Sequence, residues 1–225
     1  LVLDLTNPAV KDYEWRQVVE KTLKPNPGIS YVKWDANRYL TQPGSSYLSP
    51  DRQSHLTVDY NFELLDLMKM TADGFPDVMM MLCSGGSGRI DYGCMQYFHS
   101  FWPSDNTDPL KRVFIQWGFS HIFPANTISA HVTRMGQRPM QFTIDVALSG
   151  AYGVDLDLSK LSQEEVAHIR SSVALYKKSI RPVVQYGDLY RMISPYEGCA
   201  ASLAYVMPWG AKAVVFVCHL AECRV

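Results

Sequence analysis

Two short stretches of this chain gather side chains that could do acid–base or nucleophilic chemistry. Residues 29–38, Ile-Ser-Tyr-Val-Lys-Trp-Asp-Ala-Asn-Arg, begin as a β-forming run and turn abruptly polar. Side chains alternate along a strand, so Lys33 and Asp35 share one face, and Asn37 joins them where the strand runs on that far. A cation, a carboxylate and an amide at one strand end are costly to bury without a partner or a task. The plain alternative is a Lys–Asp ion pair. In residues 101–108, Asp108 precedes Pro109 and reads as a helix cap, while Ser104 and Thr107 read as turn residues. Asp105 has no such duty, and Trp102 stands just before it. An aromatic ring can cover the C–H face of a pyranose while carboxyl groups serve the glycosidic oxygen and the anomeric carbon.

A third stretch, Cys-Ser-Gly-Gly-Ser-Gly-Arg-Ile-Asp at 83–91, is rich in glycine. No Gly-Lys-Ser/Thr follows it, so it does not read as a phosphate cradle. Glycine permits tight turns and the close approach of a ligand. Cys83 has no histidine in a suggestive relation and reads as a small packing or contact residue. The six histidines form no His-x-His or His-Glu-x-x-His pair, so no metal site is expected.

The elements that must position these residues follow from composition and pattern. The chain has 225 residues, 47% hydrophobic, with a net charge of -1, enough for one large core. Near-neutral charge makes no case for nucleic acid or an anionic membrane. No apolar run approaches the roughly 20 residues of a membrane span. The five cysteines are odd in number and lack metal-type spacing; no disulfide framework is expected. That usage leans towards a reducing, cytoplasmic compartment and leaves periplasmic or secreted locations open. Starting at Leu1, the chain reads as part of a longer polypeptide.

Residues 1–5 read as a strand, and Asn7-Pro8 starts a helix with Trp15, Val18, Val19 and Leu23 on one face and Pro25 as its stop. The strand at 29–35 follows. A second helix, capped by Asp59, carries Phe62, Leu65 and Met68 and ends at Gly74 and Pro76. Strands are expected at 78–82, near 97–102, at 127–132 and at 152–158, where Asp155 and Asp157 would share a face. Helices are expected from Asp108-Pro109, with Val113, Phe114 and Trp117 inward, and from Pro139 to near Gly150. A capping box, Ser162 with Glu165, opens one more, with Val166, Ile169, Val173 and Tyr176 on one face. About six strand–helix alternations imply a parallel sheet with crossover helices. Asp35, Cys83, Ser104 and His131 all follow strands, which a β/α barrel would bring to its carboxyl face. A doubly wound open sheet has the same periodicity and stays open as the alternative. From Tyr196 the pattern changes: strands at 201–206 and 213–217 flank Pro208-Trp209-Gly210 as a hairpin.

Lys-Trp-Asp-Ala-Asn-Arg (33–38), the 83–91 stretch and Trp-Pro-Ser-Asp-Asn-Thr-Asp (102–108), in that order, closely resemble family-36 glycoside hydrolases, the retaining α-galactosidases or melibiases of clan D. Leu-Asp-Leu-Thr-Asn-Pro (3–8) resembles that family's third barrel strand and following helix. The resemblance implies an α/β fold. Residues 1–193 would be a catalytic portion of a (β/α)8 TIM barrel, about strands 3–8, and 194–225 the start of a C-terminal antiparallel β-sandwich domain. It implies Asp35 as nucleophile after the fourth strand and Asp105 as acid/base after the sixth. Lys33, Asn37, Cys83, Gly85 and Trp102 would bind galactose. The implied reaction removes terminal α-linked galactose from oligosaccharides of the raffinose and melibiose type, with no cofactor and no metal. The implied partner is a small galactoside, with no nucleic acid and no membrane, and the full-length form would be a homo-oligomer. An α-N-acetylgalactosaminidase and a raffinose-synthase-like galactosyl transferase are variants of this reading. A truncated, non-catalytic sugar-binding remnant is the alternative of another class. Ser87 stands where the family commonly has glycine. The family's N-terminal β-sandwich and first two barrel strands, with their paired aspartates, have no counterpart here, so the resemblance does not make this chain active by itself.

Overall fold

The computed structural model describes residues 2–41 and 43–220. They divide into two compact units, Leu1–Phe101 and Trp102–Val225. The described residues are α/β, with two parallel sheets and one antiparallel sheet among them.

The first unit opens without the expected strand: Leu1 lies outside the described residues, and Val2 to Leu5 form none. The Asp4 carboxylate instead accepts from the Thr6 N–H, the Thr6 hydroxyl and the Ser45 hydroxyl. Such local bonds compete with a strand ladder. Helix α1, Pro8–Tyr13, starts as read, with Asn7 Oδ1 accepting from Ala9 N at 3.0 Å. It runs on through a π-helical stretch, Glu14–Glu20, and a last turn, Lys21–Leu23. Val19 and Leu23 are buried, whereas Val18 faces solvent. The wider π turn shifts side chains around the axis and breaks the predicted stripe.

Strand β1, Tyr31–Asp35, pairs in parallel with β2, Met79–Cys83, which pairs in parallel with β3, Ser100–Phe101. Met80, Met81 and Leu82 are all buried, as a continuous apolar run predicts. Between β1 and β2 lies α2, Leu56–Gly74, entered through a 3-10 turn, Pro50–His55. Asp59 is therefore not its cap; it sits in the first turn and pairs with Arg52 at 2.7 Å. The buried face of α2 is Tyr60, Leu64, Leu67, Met68 and Thr71, and Phe62 is exposed. The 3-10 turn starts the helix upstream of the Asp59 cap, so that cap gave no guide to which face would be buried.

In the second unit α3, Pro109–Phe119, leads to β4, Ser129–Val132. Helix α4, Met140–Ala147, leads to β5, Ala151–Val154, parallel to β4 with Ser129 opposite Ala151. Strand β5 stops at Val154, so Asp155 and Asp157 do not share a strand face. Asp157 instead caps a short turn, Leu158–Lys160, accepting from Ser159 N at 3.1 Å. Helix α5, Gln163–Leu175, has the predicted capping box of Ser162 and Glu165. It continues through Tyr176–Ile180 and Arg181–Tyr186. Val132, Ile144, Ala147, Ile169, Val183 and Tyr205 form the centre of this unit's core.

The antiparallel sheet has the order β6-β7-β8, with β6 at Asp188–Ile193, β7 at Ala200–Val206 and β8 at Ala213–His219. The hairpin β7–β8 is the expected one, reversing at Trp209 and Gly210, both with φ +65°. Strand β6 had no sequence signal, because Arg191 interrupts its apolar alternation. That side chain is used: Arg191 Nε donates to Ser120 Oγ at 2.9 Å. Cys83, Cys94 and Cys218 are free thiols. Cys199 is disulfide-bonded, which cysteine spacing did not lead us to expect. Among the described residues no helix is long and apolar enough to cross a membrane.

Candidate active site

In the first unit the predicted residues meet at the carboxyl ends of β1 and β2. The parallel register sets Asp35 opposite Cys83 and Lys33 opposite Met81. Tyr31, Lys33, Asp35 and Asn37 are exposed, while Val32, Trp34 and Ala36 between them are half-buried. Within β1 this is the predicted alternation: Lys33 and Asp35 share one face and Trp34 packs edge-on against Phe98 on the other, while the strand ends at Asp35 and leaves Asn37 in the loop beyond it. Cys83 is buried. Burial pushes its thiol above the ordinary range; the Gly86 backbone and Lys33 oppose that rise and the Asp35 carboxylate adds to it. A thiol held neutral is a poor nucleophile, which leaves Asp35 as the nucleophilic candidate of this strand pair.

The loop beyond β1 is tied to the glycine-rich loop beyond β2. Ala36 N donates to Cys83 O at 3.0 Å, and Ser84 Oγ donates to Ala36 O at 2.6 Å. Asn37 Oδ1 accepts the backbone N–H of Gly85. Gly85 and Gly86 adopt φ +56° and +88°, a region side chains other than glycine rarely enter. Ser87 is not among the positive-φ residues, so a serine is tolerated there without backbone strain. Arg89, given no role by sequence reasoning, clamps the same loop: Nε donates to Ala36 O at 3.0 Å and a terminal nitrogen to Arg38 O at 2.6 Å. Lys33, Asp35, Asn37, Cys83 and Gly85 are thus one local cluster.

Trp102 and Asp105 belong to the second unit. Trp102 is buried, and its Nε1 donates to Asp105 Oδ1 at 3.1 Å. Asp105 itself is exposed. The loop that carries it is built from short-range bonds: Asn106 N donates to Ser104 Oγ, and Asp108 N to Asn106 Oδ1, each at 3.1 Å. Asp108 is the helix cap predicted for it, accepting from Leu110 N at 3.0 Å, and it also pairs with Arg138 at 3.3 Å. Thr107 and Thr133 share a hydroxyl hydrogen bond of 2.8 Å. Gly136 has φ +77°, and a Cβ there would lie 2.5 Å from the Asp108 side chain. The Trp102 ring lies edge-on to His131, with centroids 4.7 Å apart. Among the described residues no three His, Cys, Asp or Glu side chains converge as metal ligands would.

Against known proteins, the model of the Melibiase family matches residues 1–187. The chain is 37% identical over 221 residues to α-galactosidase AgaA of Geobacillus stearothermophilus, covering 96% of this chain and 30% of that protein. It is 36% identical to α-galactosidase Mel36A of Lactobacillus acidophilus, covering 85% of this chain and 26% of the relative. The crystal structure of the GH36 enzyme AgaA superposes with a TM-score of 0.94 over 100% of this chain and 32% of its own, at 37% identity. The α-galactosidase from Lactobacillus brevis gives 0.89 at 32% identity, over 95% of this chain and 30% of its own. The chain therefore spans about 30% of the length of the curated relatives it matches. With the family model matched over most of its length, this chain belongs to the Melibiase family.

Proposed function

We propose that the protein containing this chain is a retaining α-galactosidase that removes terminal α-linked galactose from oligosaccharides. The observation that carries the reading is Asp35 at the carboxyl end of β1, exposed on one strand face with Lys33 and opposite Cys83. Relatives support the chemistry. The Geobacillus enzyme AgaA has been crystallised with raffinose in a form carrying an alanine-to-glutamate change and one aspartate replaced, and with stachyose in a form carrying the same change and another aspartate replaced. Those two aspartates stand 70 positions apart, the spacing of Asp35 and Asp105 here.

In this reading Asp35 attacks the anomeric carbon, the glycosidic C–O bond breaks, and Asp105 gives its proton to the departing oxygen. The product is a galactosyl ester of Asp35. Asp105, now a carboxylate, takes a proton from water, whose oxygen attacks the anomeric carbon and releases Asp35. Two inversions leave the α configuration unchanged, and a retaining pair needs carboxyl groups about 5–5.5 Å apart. Lys33, Asn37 and the Gly85 backbone bind sugar hydroxyls, Cys83 contacts the ring, and Trp102 shapes the pocket. Residues 1–193 are read as a portion of a (β/α)8 barrel, with β1 to β5 as its fourth to eighth strands; 194–225 open an antiparallel β domain. The parallel pairings and the polar clusters after β1, β2 and β3 support that reading. The test is Asp35→Gly in the full-length protein. Hydrolysis of an aryl α-galactoside should be lost and turnover regained with added azide, which attacks from the vacated face. Undiminished hydrolysis by that variant removes Asp35 from the role.

A further inference from the structure

Arg112 lies in the first turn of α3, among side chains that serve the core, and is 2% exposed. Burial lowers its pKa to about 10, so it remains a cation at neutral pH, and no carboxylate among the described residues offsets that desolvation. A buried, uncompensated guanidinium is costly, so its contacts matter. One terminal nitrogen donates to Ser104 O at 3.1 Å, the other to Ser129 O, and Nε to Gln116 Oε1 at 3.4 Å. Its charge lies 5.0 Å from the centroid of the Trp102 ring. Trp102 is the side chain whose N–H reaches Asp105, and Ser104 is the residue directly before it. Both tethers of the Asp105 carboxyl, one through the backbone and one through the indole, therefore end on the same guanidinium. A cation on an indole face also draws electron density from the ring and strengthens its N–H as a donor.

We infer that Arg112 is a positioning residue for Asp105, fixing the acid/base carboxyl through Trp102 and Ser104 without touching the substrate. The inference rests on the galactosidase reading. A residue that merely braced α3 against β4 would hold the same bonds, so the test must separate the two roles. Proton donation matters for a poor leaving group and little for a good one. The full-length wild type, Arg112→Gln and Asp105→Ala are compared for kcat/KM on raffinose and on 2,4-dinitrophenyl α-galactoside. The ratio of the two values is independent of the fraction of protein correctly folded. Arg112→Gln should lose about 100-fold on raffinose and only about 3-fold on the dinitrophenyl substrate, in the same direction as Asp105→Ala. Equal losses on both substrates overturn the inference alone. An inactive wild type, or no split for Asp105→Ala, overturns the galactosidase assignment and the inference with it. If Arg112→Gln is insoluble, Arg112→Lys reads the same ratio, since it keeps the charge and loses the two-pronged fork.

Discussion

The indole nitrogen of Trp102 donates to Oδ1 of Asp105 across 3.1 Å, from a ring that is itself buried. One carboxyl oxygen of an otherwise exposed side chain is thereby held at a fixed point. The bond strengthens as Asp105 gives up its proton, from about 0.5–1.5 kcal/mol for a neutral acceptor to about 1.5–3 kcal/mol for a charged one, and about 1.4 kcal/mol is tenfold in rate. Trp102→Phe keeps an aromatic ring and removes the donor. It should lower kcat/KM on raffinose at least about tenfold, with the melting temperature within a few degrees of wild type. Unchanged steady-state kinetics would show that this contact does not steer Asp105.

Asn37 and Gly85 form a second pair, joining the loops after β1 and β2. Asn37→Ala takes the acceptor from the Gly85 N–H and frees a loop whose shape depends on two left-handed glycines. If this cluster binds the sugar's hydroxyls, KM for raffinose rises about tenfold and kcat falls less, the signature of lost uniform binding. Gly85→Ala should cost about 1 kcal/mol in stability, because a side chain at φ +56° is strained even though the space around it is open. Michaelis constants and urea midpoints check the two variants; a fall in kcat alone for Asn37→Ala would argue against a binding role.

Cys94 links the fold to alkaline pH. Burial, reinforced by the Asp91 carboxylate, pushes its thiol from an ordinary 9.0 up to about 12. Below 9.0 the thiol is protonated in folded and unfolded chains alike, and its contribution to stability is fully present. Above that value the unfolded chain ionises while the folded one keeps its proton, so stability is lost progressively up to about 12. The melting temperature of the wild type should fall more steeply from about pH 8.5 to about pH 10.5 than that of Cys94→Ala. Parallel slopes for the two proteins would refute the assignment.

Much of the local structure was legible because its causes are local. Asn7 before Pro8, Asp108 before Pro109 and Ser162 with Glu165 cap helices as read, since a cap needs only a side-chain oxygen and the next backbone N–H groups. The apolar run at Met80 to Leu82 is a buried strand, and Pro208-Trp209-Gly210 reverses a hairpin. Legibility failed where a contact that residue periodicity does not encode intervened. Asp4 is drawn out of a strand by Ser45, Asp59 is taken by Arg52 after a 3-10 entry that periodicity does not encode, and β6 hides behind an arginine that serves Ser120.

The same division runs through the candidate site. Sequence alone determined the chemical kit: Lys33 and Asp35 on one strand face with Asn37 two residues on, a glycine loop from Cys83, and a tryptophan three residues before Asp105. Alternation along a strand and the torsional freedom of glycine are properties of the backbone, so residue order suffices to reveal them. Tertiary structure alone decided that Asp35 stands opposite Cys83, that Arg89 grips the carbonyls beyond β1, and that a buried Arg112 underlies Trp102. Those relationships depend on strand register and on which helix face turns inward, and both are set by packing between segments dozens of residues apart.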